Sequence, residues 1–435
     1  MINLNVLSAN YPKKFLPCNL LLKTISLLIL TLTLPFLACG ENSGGPEFLK
    51  DIKELSAGDY HTAVIDKDGK LLTWGANWDG ELGDGTSIDR NFPVELGGGF
   101  ADHKWKAVSA GVGYTVAIDE NGKIYTWGNN YCGQLGDDTT SSRDVPGELG
   151  GGFAGYKWKA VSAGIFHTAA IREDTDNLAN DGKIYTWGYN SAGQLGDGTI
   201  SARSVPGELA DGYKFKWKAV SAGDSHSVAI KEDKDNLAND GKIYTWGHNQ
   251  YGELGDDTTS DRKVPGELAD GYRFKWKAVS TSISYTVAIR EDKDNLANDG
   301  KIYTWGVNYY GKLGDHAITT DRRYVPGELG GGFAEHKWKA VSSGDSHTVA
   351  IDESGKLWGW GDNFSGQMGN NTKSDFLSPV CILDRCAAAG AGSRFTIIIK
   401  DDGSVWALGE NNNGQLGDGS NVSTRTPKKV IRFND

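Results

Sequence analysis

Val161-Ser-Ala-Gly-Ile-Phe-His-Thr-Ala-Ala-Ile171, followed by Lys183-Ile-Tyr-Thr-Trp-Gly-Tyr-Asn-Ser-Ala-Gly-Gln-Leu-Gly196, is one copy of a unit that fills most of this chain. Its second half is a frame, Trp-Gly-x-Asn-x-x-Gly-x-Leu-Gly, that begins at Trp74, Trp127, Trp187, Trp246, Trp305 and Trp360. A seventh copy begins at Leu408, with Leu in place of Trp. A self-similar period of about 50 to 60 residues is the signature of stacked or radial repeats.

Each copy reads as a small antiparallel sheet. His-Thr-x-Ala-Ile and Lys-Ile-Tyr-Thr-Trp are of strand length, and turn pairs such as Asp68-Gly69, Asn121-Gly122 and Ser354-Gly355 separate them. Glycine and asparagine at fixed offsets after the tryptophan suit a positive φ that β-branched residues resist. The Leu eight residues after each Trp, Met368 in the sixth copy, is expected to meet it between neighbouring sheets. Burying one indole is worth about 4–6 kcal/mol before entropy. One such sheet would be marginal alone, whereas seven sharing both faces would not.

An open array needs polar capping repeats at its ends. Here the chain enters mid-unit, with Lys50-Asp-Ile-Lys-Glu-Leu-Ser-Ala-Gly58 where later copies have Lys-Trp-Lys-Ala-Val-Ser-Ala-Gly. It ends on Thr424-Arg-Thr-Pro-Lys-Lys-Val-Ile431, which matches the segment at Asp261-Arg-Lys-Val-Pro-Gly266. The termini read as halves of one blade. The expected fold is therefore all-β: a seven-bladed β-propeller over residues 50–435, closed by pairing of its N- and C-terminal strands.

These frames resemble the regulator of chromosome condensation repeat family, over essentially Lys50 to Ile431. The resemblance implies the seven-bladed fold and leaves function open, since one architecture serves many partners. The nuclear family member acts on a small GTPase, a partner an exported protein would not meet. The plant ultraviolet receptor of the family relies on tryptophans in a Gly-Trp-Arg-His-Thr motif. The matching stretches here, from Gly58-Asp-Tyr-His-Thr62 to Gly392-Ser-Arg-Phe-Thr396, contain no Trp, so photoreception is not expected. A secreted bacterial member inhibits β-lactamase and is a precedent for protein binding on the ring face.

The first 38 residues read as a signal peptide. Lys13, Lys14 and Lys23 precede the apolar run Ile25–Leu37, too short for a comfortable membrane span. Phe36-Leu37-Ala38-Cys39-Gly40 resembles the lipobox of bacterial lipoproteins, which implies lipid attachment at Cys39 and favours the outer membrane, facing the periplasm or the surface. Residues 39–49 then form the lipidated cysteine and a flexible tether. The anchor is the sole expected membrane contact. The net charge of −11 makes nucleic acid a poor partner.

No cofactor, nucleophile with base, or phosphate-gripping loop stands out. His61, His167, His226 and His347 share one repeat position with Tyr114, Tyr285 and Phe395. Replacement by Tyr and Phe favours a packed aromatic slot over a metal site. Three enlarged hairpins carry carboxylates that offer a weak Ca²⁺ site: Asp174, Asp176 and Asp181; Asp233, Asp235 and Asp240; Asp292, Asp294 and Asp299. A solvated hairpin is the alternative. Cys381 and Cys386 are expected to form a disulfide in an oxidising compartment, with Cys132 unpaired. Phe100, Phe153, Tyr213, Tyr272 and Phe333 lie in outer loops, either as contacts or packed over the blade edge.

The leading reading is a monomeric, non-enzymatic binding scaffold at the bacterial cell envelope whose partner is an envelope or extracellular protein. A glycan-binding lipoprotein is the second reading. An enzyme with its site at a channel mouth is the third, and acid and base side chains from several blades meeting there would revive it.

Overall fold

The computed structural model describes residues 47–432 other than 174–181, 214, 233–239, 273, 292–298, 317–320, 331 and 334. The signal peptide, Cys39 and most of the tether lie outside the described residues. So do Asp174, Asp176, Asp181, Asp233, Asp235, Asp292 and Asp294 of the candidate Ca²⁺ hairpins.

Seven four-stranded antiparallel sheets follow one another along the chain. They span residues 52–95, 105–148, 157–208, 216–267, 275–328, 338–383 and 386–429, and are numbered blades 1 to 7. In blade 1 the strands are Ile52–Ala57, His61–Asp66, Leu71–Gly75 and Arg90–Glu95. First strands of successive blades touch, and that of blade 1 also touches that of blade 7. The array is thus a closed ring with its first strands innermost. A four-stranded meander puts the turn between strands one and two and the loop between strands three and four on one face, here the upper face. The remaining connections lie on the lower face.

The ring closes through its termini, with one difference from the sequence reading. Every four-stranded sheet is contiguous, so no blade is split between the two chain ends. The ends form a separate ribbon, in which Glu47 opposes Arg432 and Phe48 opposes Ile431. Leu49 N–H donates to the Val430 carbonyl at 3.0 Å, and the Leu49 carbonyl accepts from Val405 N–H at 3.2 Å. Residues 47–49, assigned to the tether, therefore belong to the propeller. Leu49 and Val430 are buried side chains that gain nothing as linker.

The frame residues explain why blades stack. Trp74, Trp127, Trp187, Trp246, Trp305, Trp360 and Leu408 are all fully buried. Each packs toward the preceding blade: Trp74 clusters with Leu416, Trp187 with Leu135 and Trp360 with Leu313. The glycine after that leucine is obligatory. A Cβ on Gly83 would lie 2.7 Å from the Trp127 indole nitrogen, and its φ is +70°. The frame asparagine braces its own loop: Asn77 Oδ1 accepts from Leu82 N–H at 3.0 Å while its amide donates to Asp84 and Thr86. Asp84 also pairs with Arg90, so the recurrent Gly-Asp-Gly is a turn device.

The expected Cys381–Cys386 disulfide is not formed; both are free thiols. Cys381 is exposed on the fourth strand of blade 6, opposite Trp358. Cys386 opens blade 7 in a slot that holds Trp in blades 2 to 6, buried with Val349, Ile351 and Leu357. Its Sγ points to the Leu383 carbonyl, 3.6 Å away, and burial pushes the thiol up to about 11.

Replacing a wedge tryptophan tests this stacking. Trp246→Ala is expected to cost about 3–5 kcal/mol of stability. Trp246→Leu should cost visibly less, because Leu408 already fills that slot in blade 7. Urea unfolding of the two variants against the parent measures both.

Candidate binding face

The turn residue His-Thr and the wedge Trp converge on one acceptor. Thr115 Oγ1 and Trp127 Nε1 both donate to the Glu81 carbonyl of the preceding blade, at 2.8 and 2.9 Å. Thr168 and Trp187 share the Gln134 carbonyl in the same way. The repeat histidine adds a link in the other direction. His61 Nε2 meets Thr115 Oγ1 at 2.9 Å, His167 meets Ser227 at 2.8 Å, His226 meets Thr286 at 3.0 Å and His347 meets Thr396 at 3.1 Å. Tyr114 and Tyr285 reach the equivalent Thr168 and Thr348 through their hydroxyls. The four histidines are thus separate inter-blade ties. Among the described residues no His, Cys, Asp and Glu group is arranged to hold a metal.

Burial holds these imidazoles neutral, with His61 and His167 lowered to about 4 and His226 and His347 to about 3. In the unfolded chain they would take up protons below about pH 6.5. Stability is therefore full above that value and falls as the pH drops toward 4, by about 2 kcal/mol per site at pH 5.

At the centre of the upper face the seven inner turns surround a well of about 80 Å³. Asp59, Asp224 and Asp345 line it, each directly after the position of the repeat glycine. Asp345 accepts from Ser282 Oγ at 3.4 Å and Asp224 from Ser225 Oγ at 3.2 Å. The Asp59 carboxylate accepts no hydrogen bond from a described residue. Removal from bulk water raises Asp59 well above the usual carboxylate range, with the charges of Asp345 and Asp224 adding to it. Burial raises Asp345 and Asp224 as well.

Lys312 lies beneath these carboxylates, where other blades carry Glu81, Gln134, Gln194, Glu253, Gln367 and Gln415. Its ammonium donates to the Ile283 carbonyl at 2.7 Å and the Asp345 carbonyl at 3.1 Å, and sits 4.4 Å from the centre of the Tyr285 ring. Burial lowers it to about 7 against the pull of Asp345, Glu253 and Asp224. Acid and base groups from blades 1, 4, 5 and 6 thus do meet at one channel mouth. The well has room for a few waters or for the tip of a cationic side chain. The Lys312 amine is engaged by two carbonyls.

Around the well, the upper loops hold out large rings. Trp78 is 58% exposed, Tyr131 66% and Phe364 62%, with Tyr189, Tyr309 and Tyr310 also exposed. All follow or flank the bracing asparagine of the frame. The aromatics named from the sequence do something else. Phe100 packs on Tyr125, Phe153 on Tyr185, Tyr213 on Phe215, Tyr272 on Phe274 and Phe333 on Trp358, in connections on the lower face. Sequence reading missed the aspartates and the upper rings. The available signal was variation at a fixed offset: Asp59, Asp224 and Asp345 against Val112, Ile165, Ile283 and Ser393.

The RCC1-like domain profile matches residues 37–296 and 177–435. The chain belongs to the RCC1-like domain family. Among relatives, the ultraviolet-B receptor UVR8 of Arabidopsis thaliana is 30% identical over 335 residues, covering 75% of this chain and 68% of that protein. The human E3 ubiquitin-protein ligase HERC2 is 28% identical over 331 residues, which are 75% of this chain and only 6% of that protein. Prp20p of Saccharomyces cerevisiae, described with its binding to Gsp1p and histones, superposes with a TM-score of 0.64 at 21% identity, covering 80% and 82% of the two chains. That likeness establishes the RCC1-like fold.

Within this RCC1-like ring, His61→Tyr copies Tyr114 of blade 2. The variant is expected to melt within a few degrees of the parent at pH 7.5 and to lose less stability between pH 6.5 and 4. Thermal melts across that range measure the difference.

Proposed function

We propose that this chain is a non-enzymatic binding propeller of the bacterial cell envelope that docks a protein on its upper face. The observation that carries the reading is the set of large aromatic rings standing in water on that face, from Trp78 round to Phe364. Exposed aromatics around a depression are the residues that anchor protein interfaces. The carboxylates of the well favour a partner that places a lysine or arginine at its centre. Prp20p, a propeller of the same fold described with its binding to Gsp1p and histones, supports a protein partner.

Placement at the envelope rests on the apolar run before Cys39 and on the lipobox-like Leu37-Ala38-Cys39. Cysteine acylation would hold the disc on the outer membrane, with the residues before Glu47 as tether.

Cross-linking in envelope extracts tests the docking face. The parent is expected to capture a defined protein, and a Trp78→Ala, Tyr131→Ala, Phe364→Ala variant of unchanged melting temperature to lose it. Capture that survives the triple change would refute the assignment. Labelling with radioactive palmitate tests the anchor: Cys39→Ser should abolish incorporation and release the propeller into the soluble fraction.

A further inference from the structure

The upper face is acidic at its centre but not above blades 6 and 7. There Lys373, Arg394 and Arg425 border a groove of about 280 Å³ with Phe364 on its wall. In a chain of net charge −11 this convergence of cations stands out. None of the three forms an ion pair with a described residue. Lys373 Nζ rests 4.8 Å from the centre of the Phe364 ring.

The repeat shows that the fold does not require these bases. Arg394 occupies a turn position held elsewhere by residues such as Tyr60, Ser225 and Ser346. Lys373 stands where the other blades have neutral residues such as Ser87 and Thr140. Arg425 passes under Gly366 as Asn91, Asp144 and Ser204 pass under the equivalent glycines, and Lys263 is the one other base at that position. Two departures from the repeat, Lys373 and Arg394, fall in one groove with Arg425.

We propose that this groove binds a carboxylated sugar ring, a uronic acid residue of an acidic glycan. The two guanidinium groups and the ammonium match a carboxylate. Phe364 offers an apolar plate for the C–H face of the ring. The Ser423 hydroxyl accepts from Asn411 N–H at 3.1 Å and keeps its proton to donate. Asn412 holds one oxygen of Glu410 at 2.8 Å, leaving the other to accept from a sugar hydroxyl. Glu410 repels any anion here, but a uronic acid residue offsets this by placing ring hydroxyls where the carboxylate can accept from them, which a phosphate dianion or an acidic peptide does not. The groove adjoins the docking face and shares Phe364 with it, but the absence of uronate binding would leave protein capture through Trp78 and Tyr131 standing.

The test is calorimetric titration of the full chain with trigalacturonate, triglucuronate and trimannuronate, with the methyl ester of each, and with a hexaglutamate peptide. At least one uronate is expected to bind, with its ester weaker by about tenfold or more. Arg394→Ala and Arg425→Ala should each weaken it by about tenfold at unchanged melting temperature, and Lys373→Gln by less. The proposal is overturned if no uronate gives heat at about 10 mM, if esters bind equally, or if both arginine variants bind like the parent. Tighter binding of hexaglutamate would overturn it in favour of an acidic protein segment.

Discussion

One backbone carbonyl per blade sets the position of the next blade. It accepts an indole N–H and a hydroxyl from that blade, as the Glu81 carbonyl does from Trp127 and Thr115. The two donors reach the same oxygen because they are direct cross-strand neighbours, Thr115 opposite Trp127. A blade that slipped by one residue would send both to the wrong face and leave a buried acceptor unsatisfied, at a cost of about 1–3 kcal/mol. A second lacing runs nearer the axis, where Ser56 Oγ accepts from Ala110 N–H at 2.9 Å and Ser109 from Ala163 at 2.9 Å. Packing gives the ring its cohesion, and these polar ties give it one register.

Blade 7 departs from several of these devices, though Thr396 Oγ1 still donates to the Gln367 carbonyl at 3.0 Å. Leu408 has no indole to donate, Gly390 replaces the lacing serine and Cys386 replaces the opening tryptophan. Gly390 admits Leu55 of blade 1, whose Cδ1 would lie 2.7 Å from an added Cβ. The seam between blades 7 and 1 keeps the shared carbonyl, since Gln415 accepts from Trp74 Nε1 at 3.0 Å and from Thr62 Oγ1 at 3.3 Å, and it adds apolar contact and the terminal ribbon of Glu47–Phe48 with Ile431–Arg432. The lacing serine and the histidine tie, replaced by Gly390 and Phe395, are thus absent where the chain ends meet.

Uniform positions are those that hold blades together, and variable positions face water on the upper side. The bracing asparagine lets the next residue vary freely, because the loop is already closed by Asn130 Oδ1 on Leu135 N–H and by its amide on Asp137. Trp78, Tyr131 and Phe364 therefore project from a rigid base. The same logic puts Arg394 and Lys373 together: each lies on a turn that its neighbours build with other side chains.

The repeat alone determined the all-β class, seven blades, the ring and the wedge tryptophans, since these rest on local strand patterns and a fixed offset between Trp, Gly and Leu. It also showed that His61 and its equivalents share a slot with Tyr114 and Phe395, which is what a packed tie requires. Tertiary structure alone decided what faces what. Asp59, Asp224 and Asp345 lie more than about 120 residues apart in the chain and meet only because the ring brings their turns to one axis. Phe100 and Trp78 are both loop aromatics in sequence, yet one is packed on Tyr125 and the other stands in water, because a meander sends alternate connections to opposite faces. Whether Cys386 meets Cys381 or fills a tryptophan slot depends on inter-blade volume, which no local spacing encodes.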